Sequence, residues 1–209
     1  MTDFFDVPAL VGKLVLLEPL DTGHIEGLAR AARDGRERYN LSDVPNNEAD
    51  ARRYVERALA GRANNSMVPF AVIDQRTHQV VGSTRFCYFQ YWRWQEPHRR
   101  RSADIPDAAE IGYTWLAKAA QGTGINREAK LLMLEVAFEQ WRLFRLRLRT
   151  DARNERSRAA IEGLGAKFDG VLRADGAAYD GAIRDSAVYS VLDSEWQYLK
   201  RHLQTTLSR

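Results

Sequence analysis

Two glycines one residue apart, in Gln121-Gly-Thr-Gly-Ile-Asn126, stand between a β-prone run and a segment with helical period. A glycine loop that opens a helix leaves several backbone N–H groups without intrahelical acceptors, and the helix dipole adds positive potential there. Phosphate is the kind of group such a loop can hold. Gly122 and Gly124 let the backbone approach closely and adopt angles closed to other residues. The helix that follows, from Ile125 to about Trp141, gathers Leu131, Leu132, Leu134, Ala137 and Phe138 on one apolar face. The run Ala109-Glu-Ile-Gly-Tyr-Thr-Trp-Leu116 reads as the strand that delivers the chain to the loop. Two familiar nucleotide patterns do not fit. No Gly-Lys-Ser/Thr follows, as a P-loop needs, and Arg127 stands where a dinucleotide fingerprint has its third glycine or alanine.

The elements around this core fit one α/β domain. The chain has 209 residues, 44% hydrophobic and 28% charged, enough for one globular unit spanning 1–209. Within it, 90–107 reads as a long inter-strand loop and 193–209 as a C-terminal helical extension. Strands are expected at Lys13–Pro19, Pro69–Asp74, Val80–Phe89, Phe144–Thr150, Lys167–Arg173 and Ile183–Leu192 besides the motif strand. Helices are expected from Asp21 or Thr22 to about Asp34, from Asn47 to about Leu59, from Ser157 to Leu164, and from Asp193 to about Leu203. The last places Trp196, Leu199 and Leu203 on one side, to dock on the body or on a partner, and a homodimer is the expectation. Between Lys167–Arg173 and Ile183–Leu192 lies a loop with Asp175 and Gly176.

Charge and cysteine content narrow the class. Lys+Arg at 31 against Asp+Glu at 28 is too balanced for a nucleic-acid binder, although arginine suits phosphate. The single cysteine, Cys87, excludes an internal disulfide and reads as a small core residue. No apolar run reaches membrane-spanning length, and Met1-Thr-Asp-Phe-Phe-Asp6 lacks a basic-then-apolar leader, so a cytoplasmic protein without membrane contact is expected. The loop 90–107 carries Tyr91, Trp92, Trp94 and His98-Arg-Arg-Arg101. It reads as a solvated loop with rings packed onto the body, as a lip over an acceptor groove with Trp92 touching substrate, or as an interface patch.

Three ordered blocks together resemble the GNAT superfamily of acetyl-CoA-dependent N-acetyltransferases. They are Glu110-Ile-Gly-Tyr with Trp115-Leu116, then Gln121 to Ala129, then Asn154-Glu-Arg-Ser157 through Ile161-Glu-Gly-Leu-Gly165. The nearest branch is that of the ribosomal-protein N-terminal (alanine/serine) acetyltransferases. The resemblance implies a GNAT acyl-CoA N-acyltransferase fold: a central, mostly antiparallel, twisted sheet of six to seven strands, splayed at the cofactor site and flanked by helices. It implies acetyl-CoA as co-substrate and no metal. By the same resemblance, Gln121 and Gly122 belong to the cofactor loop, and backbone amides of about Thr123, Gly124, Ile125, Asn126 and Arg127 hold the cofactor phosphates. Thr114, Trp115 and Leu116 offer a strand edge to the pantetheine arm, and Asn154 bonds the same arm. Ser157 faces the thiol or the acetyl carbonyl and serves as acid or as stabiliser for the leaving thiolate.

Acetyl transfer also needs a neutral amine and a polarised carbonyl. A backbone N–H near Leu116 is the expected carbonyl donor. Many relatives use a tyrosine on the helix after Asn154, but Ile161 occupies that position here. Glu110 is a base working through water or a structural carboxylate paired with arginine. Asp175 lies in the loop where some members of this branch carry a glutamate, although the glutamate's own position is Gly176 here, and Tyr113 and His98 are further base candidates. The implied reaction is acetyl transfer to a primary amine, a protein N-terminus among the candidates, by direct attack in a ternary complex. Two alternatives stay open: a small amine as acceptor, and a CoA-binding module without turnover.

Overall fold

The computed structural model describes residues 4–95 and 105–208. Eight strands form one sheet: β1 (Leu10–Val11), β2 (Val15–Pro19), β3 (Met67–Asp74), β4 (Gln79–Gln90), β5 (Ala108–Leu116), β6 (Arg145–Asp151), β7 (Lys167–Ala177) and β8 (Ile183–Leu192). Their order across the sheet is β1-β2-β3-β4-β5-β6-β8-β7, and every pairing is antiparallel except β5 with β6. The helices are α1 (Ile25–Ala31), α2 (Glu48–Ala63), α3 (Ile125–Glu135), α4 (Glu155–Glu162) and α5 (Trp196–Leu207). The mixed architecture and mostly antiparallel sheet match the expectation. The strand count exceeds six to seven because Leu10–Val11 pairs with Leu17 and Leu16 at the sheet edge. Two residues are too few to show a period of two.

Side-chain alternation divides the sheet into two faces. One carries Leu17, Phe86, Ile111, Leu146 and Leu148 against Met133 and Leu134 of α3 and Trp196 of α5. The other packs Ala71 and Trp115 against Leu28 of α1 and Tyr54 and Val55 of α2. Helix α5 buries Trp196, Leu199 and Leu203 in the first cluster, stacking Trp196 on Phe138 at 5.6 Å. Its apolar side is therefore spent on the body, which removes that helix as a reason to expect a dimer. The strand β7 runs past Arg173 to Ala177, so Asp175 and Gly176 lie in a strand, not a loop. A register shift against β8 between Leu172 and Gly176 absorbs them, with Asp185 Oδ1 accepting the Ala174 N–H at 2.8 Å.

The register places the opening of the site. β5 pairs with β6 only from Ala108 to Ile111, opposite Arg145 to Leu148. From Gly112 onward it has no partner on that side. An extra β5 residue lies opposite β4 between the Arg85–Gly112 and Ser83–Trp115 pairs, and Tyr113 there adopts φ +52°. Such a bulge bends its strand, and here it turns β5 away from β6. Glu128 fixes α3 relative to this edge: its buried carboxylate accepts the N–H groups of Lys13, Leu14 and Val15 at 2.9, 2.6 and 2.9 Å.

Candidate active site

The parting of β5 and β6 opens a cleft of about 520 Å³. Gly122 and Gly124 take φ +76° and +88°, the left-handed region that favours glycine. A Cβ on Gly122 would meet no atom within 4 Å, so the space before it is open to a ligand. Gly124 caps α3, whose first intrahelical bond runs from the Glu128 N–H to the Gly124 carbonyl at 3.0 Å. The N–H groups of Ile125, Asn126 and Arg127 precede that bond and have no intrahelical acceptor. A cradle of amides with room at Gly122 fits the diphosphate of a CoA thioester.

The free edge of β5 continues the site. The Ala117 N–H donates to the Val81 carbonyl, toward β4, at 2.7 Å. Alternation then turns the Leu116 backbone toward the cleft. Its carbonyl accepts the Tyr39 hydroxyl at 2.9 Å and Gln121 Nε2 at 2.8 Å, leaving its N–H as the donor there. Gln121 is thus a brace: its Oε1 accepts Arg38 Nη1 at 3.2 Å and Arg156 Nη1 at 3.4 Å. Trp115 sends its indole into the second core and offers only backbone. Thr114 turns its hydroxyl to Lys130 Nζ at 2.7 Å and Thr84 Oγ1 at 2.8 Å.

Glu110, Thr114, Trp115, Leu116, Gln121, Gly122, Asn126, Asn154, Ser157 and Asp175 all line the cleft. Thr123, Gly124, Ile125 and Arg127 are not among the lining residues; Thr123 donates to the Ala120 carbonyl at 2.7 Å, and Ile125 is a core side chain. Asn154 caps α4, accepting the Ser157 N–H at 3.1 Å, which starts the helix at Glu155 ahead of the expected Ser157. Trp92 is not brought to the cleft. Its ring stacks on Phe144 at 5.7 Å and its N–H donates to Asp107 at 2.6 Å, so it packs on the body. His98 falls outside the described residues.

Glu110 is 3% exposed and bonded to Arg147 Nε at 2.8 Å, with Arg149 Nε at 3.6 Å. Burial raises its carboxyl above the ordinary value, and Arg149 and Arg147 only partly offset this. At Asp175, burial is outweighed by hydrogen bonding and the Arg149 guanidinium 2.7 Å away, which leave the carboxyl below its ordinary value. Tyr113 is raised by burial and its contact with Tyr88, so its hydroxyl stays protonated near neutrality. Burial likewise raises the Cys87 thiol, as suits a core residue.

Several contributors have no signal in the sequence. Lys130 is buried beneath the cleft, bonded to Thr84 Oγ1 at 3.0 Å and Thr114 Oγ1 at 2.7 Å, and burial pushes its ammonium down to about 7. Tyr39, Asp43, Tyr88, Tyr179 and Arg184 also line the cleft. They come from separate segments that only the fold brings together. No metal-binding cluster occurs among the described residues, and no helix there is long and apolar enough to cross a membrane.

Residues 15–167 match the family model described as acetyltransferase (GNAT) domain. YdaF of Bacillus subtilis (strain 168), provisionally named a ribosomal N-acetyltransferase, is 39% identical over 89 residues, 43% of this chain and 48% of YdaF. The match thus spans about half of that curated relative's length. A structure from T. thermophilus assigned to the acetyltransferases is 33% identical with a TM-score of 0.77, covering 96% of this chain and 97% of the other. A GCN5-related N-acetyltransferase from Brucella melitensis superposes with a TM-score of 0.79 at 26% identity, covering 95% and 85%.

Proposed function

This chain belongs to the GNAT acetyltransferase family, and we propose that it moves an acetyl group from acetyl-CoA to a primary amine, a protein N-terminus being the leading acceptor. The observation that carries this reading is the unpaired edge of β5 from Gly112 to Leu116, which leads directly into the glycine loop. The name given to YdaF supports a ribosomal-protein N-terminus as the acceptor class.

Bound acetyl-CoA supplies the thioester whose carbonyl carbon the amine attacks. The amides from Gly122 to Arg127 hold its diphosphate, and the β5 edge takes the pantetheine arm as an added strand. Asn154 bonds the same arm, and the Leu116 N–H polarises the carbonyl. Glu110, raised above an ordinary carboxyl by burial, accepts the ammonium proton through water. The Ser157 hydroxyl lines the cleft without a hydrogen bond to the described residues; it donates a hydrogen bond to the departing sulfur and relays to it a proton taken from water. Asp175, held ionised by Arg149, orients the acceptor and is not the base.

Thiol release from acetyl-CoA in the presence of N-terminal peptides tests the reading. Turnover dependent on an unblocked amine is the expected result. Acetyl-CoA binding without thiol release for any amine would leave a binding module instead.

A further inference from the structure

Among the described residues, every charged side chain lining the cleft has a partner except one. Glu110, Asp43, Asp151 and Asp175 are each bonded to an arginine, Arg156 to Gln121 and the Arg38 carbonyl, and Lys130 to its threonines. Arg184 has neither hydrogen bond nor ion pair with the described residues, and its Nε is fully enclosed without an acceptor. It stands on β8 two residues before Ser186, which pairs with Asp151 of β6, itself two residues beyond Arg149. Alternation puts Arg184, Arg149 and Arg147 on one face, the face of Glu110 and opposite Leu146 and Leu148. Arg85 joins them, buried between the rings of Tyr113 and Tyr54 at 4.2 and 4.7 Å, with Nε and Nη2 unbonded.

On this face the four guanidiniums of Arg85, Arg147, Arg149 and Arg184 stand against the carboxylates of Glu110 and Asp175, while Arg153 holds both Asp151 and Asp180 and Arg57 holds Asp43, so a positive charge is left over. The positive excess favours the neutral, nucleophilic form of an incoming amine. It also opposes a polycationic acceptor. An unpaired guanidinium at the edge of such a site is suited to a carboxylate.

We propose that the acceptor carries a carboxylate close to its amine and that Arg184 anchors it. This rests on the acetyltransferase reading and deepens it. The carboxylate can be the α-carboxylate of a free amino acid or an acidic side chain beside a peptide N-terminus.

Two matched pairs distinguish the sources: alanine against alaninamide, and alanyl-aspartate amide against alanyl-asparagine amide. Each is titrated calorimetrically into the protein with CoA present, and thiol release is measured in parallel. One carboxylate member should bind ~10–100-fold more tightly than its neutral twin, and Arg184→Gln should erase that gap. Arg184→Lys should restore part of it. The KM for acetyl-CoA should not move, and the neutral twins should change far less than the carboxylate members. Equal binding within both pairs, or a raised acetyl-CoA KM in Arg184→Gln, would overturn the proposal. Discrimination in binding without thiol release would remove the acetyltransferase reading while leaving the anion site. Turnover without discrimination would do the reverse.

Discussion

On one side of the cleft the working groups are backbone amides; on the other they are side chains. The amide side, proposed to hold the cofactor, consists of the β5 edge, the loop at Gly122 and Gly124, and the first turn of α3. The side-chain side, proposed to take the acceptor, is a layer of arginines, carboxylates and tyrosines drawn from β4, β5, β6, β7 and β8 and the segment at Tyr39 to Asp43. A diphosphate and a polyamide arm are common to every reaction of this kind, and amides bind them with no side-chain identity to protect. An acceptor amine differs between enzymes, and side chains are what can differ with it. The first half should therefore break through backbone geometry, the second through single functional groups.

The largest effect is expected from Gly122→Val. The new side chain has room in the protein itself, since a Cβ there meets nothing within 4 Å. It would occupy the cradle, and calorimetry should show acetyl-CoA affinity lower by ~100-fold or more, with a stability cost of about 1 kcal/mol for the left-handed angle. Unchanged affinity would place the diphosphate elsewhere.

Glu110→Gln tests the other half. It should lower kcat about 100-fold and leave the KM for acetyl-CoA unchanged, as general base catalysis requires. The sign of the pH effect follows from the raised carboxyl: activity falls as pH drops through a value above that of an ordinary glutamate, and the variant loses that limb. Ser157→Ala should cost about tenfold in kcat, less than Glu110→Gln, because water can protonate a thiolate. Steady-state kinetics would check both, and activity unaltered in both would discard the two assignments.

The smallest catalytic effect is expected at Lys130→Met, where the readout is stability. Burial lowers the Lys130 ammonium from 10.5 to about 7, so between those values the unfolded chain binds one more proton than the folded one. Stability then rises with pH across that window and is lost as pH falls toward 7. The variant should flatten this slope in denaturant titrations and gain about 1–3 kcal/mol near pH 8. A slope that survives would assign it to another group. Below the site, Glu128→Ala should cost about 3 kcal/mol by stranding three N–H donors.

The same division explains what the sequence disclosed. The glycine loop, its strand and its helix are contiguous, so turn chemistry and periodicity mark them, and the family pattern adds Asn154 and Ser157. Arg184, Lys130 and Tyr39 reach the cleft from segments remote in the chain, and an arginine or lysine inside an ordinary strand or helix carries no local mark. Trp92 reads as a lip in the sequence, but aromatic residues look alike whether they meet Phe144 or a substrate. The composition of Asp175-Gly176 suggests a turn after Arg173; a bulge accommodates the same residues inside β7.

Hydrogen exchange with and without acetyl-CoA tests the central claim most directly, because amides are the groups said to bind. Protection should appear in the segments Gly112–Leu116 and Gly122–Arg127, while the β7–β8 hairpin stays unchanged until an acceptor is added. No protection in those two segments, or protection first on β7 and β8, would contradict a backbone-built cofactor half.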